Sequence, residues 1–152
     1  SWYTDPAEAE RFVRETGVDA LAVAIGNAHG VYRETPRLAF DVVEQISRRV
    51  TVPLVLHGGS GIPDADLHRA IRLGIAKVNI GAEGRLAFFD GLRASLARLP
   101  PAEKFPHLIL PPAIAAHARL VEEKIRVLGG AGRTAELACA GENARDTGAV
   151  RV

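Results

Sequence analysis

Residues 52–64 read VPLVLHGGSGIPD. An aliphatic run from Val52 to Leu56 gives way to His57, then at once to Gly58-Gly59-Ser60-Gly61, a loop almost without side chains. Short apolar runs bounded by glycine read as buried strands, and the same order recurs on either side of this one. Leu21-Ala22-Val23-Ala24-Ile25 runs into Gly26-Asn27-Ala28-His29-Gly30, and Ala76-Lys77-Val78-Asn79-Ile80 runs into Gly81-Ala82-Glu83. Helical spacing precedes each run. Asp5-Pro6 reads as a helix start, aspartate at the N-cap and proline at the first helical position. Ala9, Phe12 and Val13 then keep one face up to a stop at Gly17. Phe40, Val43 and Ile46 share a face between Leu38 and Val50, as do Leu67, Ala70 and Ile71 between Asp64 and Leu73, before Gly74.

Strands separated by helices imply an α/β fold with right-handed βαβ crossovers. Apolar runs that do not alternate imply a parallel sheet buried on both faces. The strand ends recur roughly every 25–30 residues, about the length of one such unit. An amphipathic helix from Leu86 to about Leu99 follows, then a linker at Pro100-Pro101. A longer helix runs from Pro111-Pro112 to near Leu128 and closes at Gly129-Gly130. Residues 1–133 are expected to form the ordered domain, and the small, polar residues 134–152 a poorly ordered tail.

Composition excludes several classes of partner. The chain has 152 residues, 47% hydrophobic and 24% charged, and its net charge of +1 is spread without a basic patch. Nucleic-acid binding is therefore not expected. The apolar runs are too short to span a bilayer, and no secretory pattern opens the chain, so no membrane partner is expected. Cys139 is the only cysteine, which suits a reducing cytoplasm. Methionine is absent altogether, which leads us to expect a piece of a longer polypeptide.

The chemistry-bearing residues all fall just beyond the strands, at the carboxyl ends where ligands bind in parallel α/β folds. His29 and His57 hold equivalent positions on successive strands. Two readings compete for them: convergence on one metal ion, or hydrogen bonds to backbone carbonyls. The glycine loop offers backbone N–H groups and the Ser60 hydroxyl ahead of a helix, an arrangement that cradles anions. It is neither a Walker A nor a dinucleotide motif, and a plain turn is the competing reading. Asn79, polar in an apolar strand, needs a partner, either local backbone or a ligand. Arg85 and His68 read as solvated side chains. His107, His117 and Cys139 are assigned no role.

Taken together, TDPAEAERFVRETGVDALAVAIGNAHGVY, VPLVLHGGSGIPDADLHRAI, LGIAKVNIGAE and EEKIRVLGGAGR resemble the class II, zinc-dependent ketose-bisphosphate aldolases, over about residues 3–133. The resemblance implies the C-terminal half of a (β/α)₈ TIM barrel, with three parallel strands and their helices plus the C-terminal helices. It implies cleavage of fructose or tagatose 1,6-bisphosphate to dihydroxyacetone phosphate and glyceraldehyde 3-phosphate. His29 and His57 would be two of three Zn²⁺ ligands, with zinc acting as a Lewis acid on the ketose carbonyl. Gly30, Gly58, Gly59, Ser60, Asn79, Ile80, Gly81 and Ala82 would contact the dihydroxyacetone-phosphate end.

The sequence also departs from the family pattern. Ala82 stands where the family usually has threonine or serine, and the loop after His29 carries Arg33 in place of a lysine-bearing run. The proton-donating aspartate and the third histidine belong to an N-terminal half with no counterpart here. A full barrel takes about 250 residues. The chain alone is thus expected to be inactive, and the full-length enzyme to be a homo-oligomer. The alternative is a non-catalytic half-barrel that binds a sugar phosphate.

Overall fold

A computed structural model of the chain describes residues 3–133, apart from positions 31, 33 and 104. Arg33, Cys139 and the tail 134–152 lie outside the described residues. The elements run α1 (Pro6–Thr16), β1 (Leu21–Ala22), α2 (Phe40–Ser47), β2 (Leu54–Leu56), α3 (Asp64–Arg72), β3 (Ile75–Val78), α4 (Ala82–Leu96), α5 (Pro106–Ile109) and α6 (Pro111–Val127). The three strands form a parallel sheet in the order β1-β2-β3, so the α/β reading and its strand–helix alternation hold.

Local chemistry explains the first helix. The Asp5 carboxylate accepts from the amides of Ala7 (2.8 Å) and Glu8 (3.0 Å), satisfying donors that have no partner within the helix. Pro6 takes the first position, and Gly17 closes the helix in a left-handed conformation. The strands are shorter than their apolar runs. Beyond Ala22 the chain turns to the segment before α1: Ile25 bridges antiparallel to Tyr3, and the Thr4 amide donates to the Ala24 carbonyl.

The pairing register sorts side chains between two faces. Leu21, Leu54 and Ile75 lie side by side, as do Ala22, Val55 and Lys77. The first row, with Val23, Ile25 and Leu56, packs on Ala9, Val43, Ile46, Leu67 and Ala70 of the helices, and this is the core. Ile25, Leu54, Leu56, Val43, Ile46 and Leu67 are almost wholly buried; each such side chain stabilises the fold by roughly 1.5–3 kcal/mol. The opposite face is not covered alike. Val55 is buried, whereas Ala22, Ala24 and Lys77 are exposed. Burial on both faces therefore holds for β2 alone, because helices of the described chain cover only one side of its neighbours. Between β2 and β3 the register slips by one residue, an irregularity that re-aims the strand end.

α4 begins at Ala82, four residues before the expected start at Leu86. Its N-cap residue, Gly81, has no capping side chain. The cap comes instead from Ser60, whose hydroxyl oxygen accepts from the amides of Ala82 (3.1 Å) and Glu83 (3.3 Å). α4 packs chiefly on α6. Gly91 permits the approach, since a β-carbon there would stand 2.8 Å from the Cα of Ala113. His117 on α6 donates through Nδ1 to the Gly84 carbonyl (2.9 Å). His68 is more than a solvated side chain, because its Nε2 donates to the Val127 carbonyl at the end of α6 (2.8 Å). No helix among the described residues is long and apolar enough to cross a membrane.

Candidate functional site

The chemistry gathers where the open face meets the carboxyl ends of the strands. Side chains alternate along a strand, so His57, after Leu56, falls on the Val55 face, and Asn79, after Val78, on the Lys77 face. These are the same face. His29 arrives on the loop beyond β1, and its ring centre lies 5.5 Å from that of His57, edge to face. Among the described residues no third histidine, cysteine, aspartate or glutamate joins them.

The loops that carry the two histidines are pinned together. Asn27 accepts from the Ile25 amide (2.8 Å) and donates to the His57 carbonyl (3.0 Å). The Tyr32 hydroxyl accepts from the Ala28 amide (2.8 Å) and donates to the Gly58 carbonyl (3.0 Å). Gly58 has a φ of 65°, and a β-carbon on it would fall 2.1 Å from the Ala28 carbonyl oxygen; only glycine permits that closeness. Asn27 and Tyr32 drew no attention in the sequence, since asparagine and tyrosine in a loop carry no signal until the loop is folded.

Asn79 has both side-chain and backbone partners. Lys77 donates to its Oδ1, and its Nδ2 lies 3.1 Å from Nδ1 and 3.2 Å from Nε2 of His57. A neutral imidazole has one acceptor nitrogen, so the amide donates to whichever ring nitrogen is unprotonated. The Asn79 backbone accepts from the Gly59 amide and donates to the Leu56 carbonyl, both at 2.9 Å. Glu83 accepts from the Gly61 amide and pairs with Lys124 of α6 at 2.9 Å. Burial alone would lower the pKa of Lys124. The hydrogen bond and charge of Glu83, with the charges of Asp64 and Glu123, outweigh it and raise that pKa above its ordinary value. The ammonium therefore stays protonated at neutral pH.

An open cleft of about 380 Å³ lies beside the histidines, and His29, Gly30, Gly58, Ser60, Asn79 and Ile80 line it together with Gly81, Ala82 and Arg85. Every residue assigned from the sequence to an anion or a metal lines it, except His57 and Gly59. Among the lining residues, Gly58, Ser60, Ile80 and Gly81, like the exposed His29 and Gly30, have backbone N–H groups with no protein acceptor among the described residues. Gly58 and Ser60 are buried, where backbone donors are nearly always paired, while Ile80 is half-buried and Gly81 exposed; together they offer donors that an anion can take. The Ser60 oxygen is occupied as the α4 cap, yet its proton remains free to donate. Arg85, read as solvated, stands on the cleft wall.

The two histidines also fit a zinc ion. Imidazole nitrogens about 2.0–2.1 Å from a tetrahedral zinc place their ring centres about 5 Å apart, close to the spacing seen. The His57 lone pair that accepts from Asn79 is the one a metal would take, so the two are alternative partners for it.

Residues 1–133 match the family model for class-II fructose-bisphosphate aldolase. Over 127 residues the chain is 46% identical to the D-tagatose-1,6-bisphosphate aldolase subunit GatY of Klebsiella oxytoca, covering 84% of this chain and 44% of that protein. Over 133 residues it is 47% identical to the 6-phospho-5-dehydro-2-deoxy-D-gluconate aldolase of Shouchella clausii, with 88% and 45% covered. The YdjI aldolase from Escherichia coli K12 superposes with a TM-score of 0.74 at 46% identity, over 86% of this chain and 47% of that one. The fructose-bisphosphate aldolase of Campylobacter jejuni, at 22% identity, shares the fold with a TM-score of 0.69 over 84% and 46%. The chain thus spans a little under half the length of the relatives it matches, and its sheet and helices form part of a TIM barrel. Sequence, sheet order and the match along residues 1–133 agree: this chain belongs to the class II fructose-bisphosphate aldolase family.

Proposed function

We propose that the chain is the C-terminal half of a class II aldolase, an aldehyde-lyase that cleaves a ketose 1,6-bisphosphate, fructose or tagatose, into dihydroxyacetone phosphate and glyceraldehyde 3-phosphate. The observation that carries this reading is the pairing of His29 and His57, 5.5 Å apart, beside a cleft whose backbone donors are unpaired. His29 and His57 hold Zn²⁺, which supplies Lewis acidity toward the substrate carbonyl. The amides of Gly58, Ser60, Ile80 and Gly81, with the Ser60 hydroxyl proton, hold the phosphate of the dihydroxyacetone-phosphate end, and Gly30 leaves room for it; Gly59 lets the loop approach β3, since a β-carbon there would stand 2.5 Å from Val78. Holding phosphate and reacting carbons in one cleft replaces an encounter in solution with a fixed geometry. Without metal, Asn79 holds the ring of His57 through one amide proton; with the His57 lone pair on the metal, both amide protons are left for substrate. Ala82 contributes only its wall.

Cleavage breaks the C3–C4 bond, with the C4 hydroxyl losing its proton and the electron pair passing toward the carbonyl. The proton-handling aspartate and the third ligand belong to the other half of the barrel. The exposed apolar side chains Ile114, Val121 and Ile125 on α6 support a homo-oligomer, and we place the enzyme in the cytoplasm. Assaying the complete protein on both sugars, with and without a chelator, tests the proposal. We expect cleavage that chelation abolishes and zinc restores. Cleavage indifferent to the chelator would refute the metal role, and turnover by the isolated 152-residue chain would refute the division of labour.

A further inference from the structure

The charges around the cleft are almost all committed. Glu83 is held by the Gly61 amide and Lys124, and Lys77 by Asn79. Ser60 spends its oxygen on the amides of Ala82 and Glu83, so the first two donors of α4 are closed to a ligand. Ala82, which lines the cleft at the first position of that helix, has no hydroxyl to offer. Arg85 is the exception. It lies one turn along α4 from Ala82, on the same side of the helix, and lines the same cleft. Its guanidinium folds back toward the helix start, where Nη1 would stand 3.3 Å from a β-carbon on Gly81. Among the described residues it makes no ion pair or hydrogen bond.

Four unpaired amides can hold an anion but do not by themselves neutralise a phosphate dianion. We infer that Arg85 supplies that charge: it closes over the phosphate at the Gly81 side of the cleft and makes the site select a phosphorylated substrate over its unphosphorylated counterpart. A planar guanidinium offers two parallel N–H donors to phosphate oxygens, which complements amides arriving from the Gly58–Ser60 side. The inference rests on the proposed function, because it names what distinguishes the ligand of that same cleft.

The test uses the complete protein and titrates inorganic phosphate and dihydroxyacetone phosphate by calorimetry into the unaltered protein, Arg85→Ala and Arg85→Lys. Arg85 is exposed, so both variants should keep the unaltered unfolding midpoint and metal content. Losing a hydrogen bond to a charged group should weaken binding of both ligands by about 10- to 150-fold in Arg85→Ala. Lysine should recover part of that loss. With the ketose bisphosphate, the change should appear in KM more than in kcat. Arg85→Ala that binds both ligands within about twofold of the unaltered protein overturns the inference, whatever its activity. If the unaltered protein binds neither ligand, the phosphate reading of the cleft falls and takes the inference with it. If it binds phosphate yet cleaves no ketose bisphosphate, only the substrate proposal falls, and the comparison of the three proteins still decides the role of Arg85.

Discussion

The two faces of the sheet are built to different rules. On the helix-covered face, Val23, Ile25, Leu54, Leu56 and Ile75 are buried against α1, α2 and α3, with no polar side chain among them. On the open face, Ala22 and Ala24 are small and exposed, Lys77 is charged, and His57 and Asn79 are half-buried. A one-residue step along β2, from Leu56 to His57, moves from one regime to the other. The first face secures the fold through area removed from water. The second pairs its polar side chains only with one another and ends in loop amides without protein acceptors, a condition that favours ligand binding over stability.

Substitutions one residue apart should therefore fail in different ways. The largest effect is expected from His57→Ala in the complete protein. Turnover should fall by more than the roughly 10–100-fold typical of losing a group that merely orients a ligand, while the unfolding midpoint of the metal-free protein barely moves. Retained turnover would remove His57 from the site. Leu56→Ala should do the reverse, lowering stability by about 2–5 kcal/mol in denaturant titration because it opens a cavity in a fully buried position. A loss under about 1 kcal/mol would mean that this face is not the core.

Ser60→Ala joins the two regimes. It removes the cap of α4 and should cost about 0.5–2 kcal/mol, and it should also weaken phosphate binding in the same calorimetric titration. A stability loss with unchanged phosphate affinity would confine Ser60 to a structural role. The smallest effect belongs to Asp5→Ala, far from the site, at about 1 kcal/mol of stability with no change in turnover. Any change in kinetics there would show that the two faces are coupled more tightly than their contacts indicate.

Features that act through nearby chain were legible in the sequence. Asp5-Pro6 and Gly17 bound α1 where their capping chemistry puts them, and the three apolar runs hold the three strands. His29, His57 and the glycine loop were legible as a group because each follows a strand at an equivalent place. What escaped depends on residues distant in sequence. The early start of α4 needs Ser60, 22 residues before Ala82, and no local pattern signals a cap from another loop. Asn27 and Tyr32 work by reaching His57 and Gly58 across the sheet. Arg85 reads as solvent-facing by propensity and becomes a cleft residue only when its helix is laid beside the glycine loop. The open face was misread because alanine counts as apolar in a run, and small apolar residues look the same whether a helix or nothing covers them.

The central claim is that His29 and His57 hold one metal ion on the open face. It is tested most directly by measuring bound zinc per chain in the complete protein, the His29→Ala variant and the His57→Ala variant, with chelator-sensitive cleavage followed in parallel. The account predicts one zinc in the unaltered protein, with metal and cleavage lost together in either variant. Full zinc occupancy in both variants, or cleavage that survives removal of the metal, would contradict it.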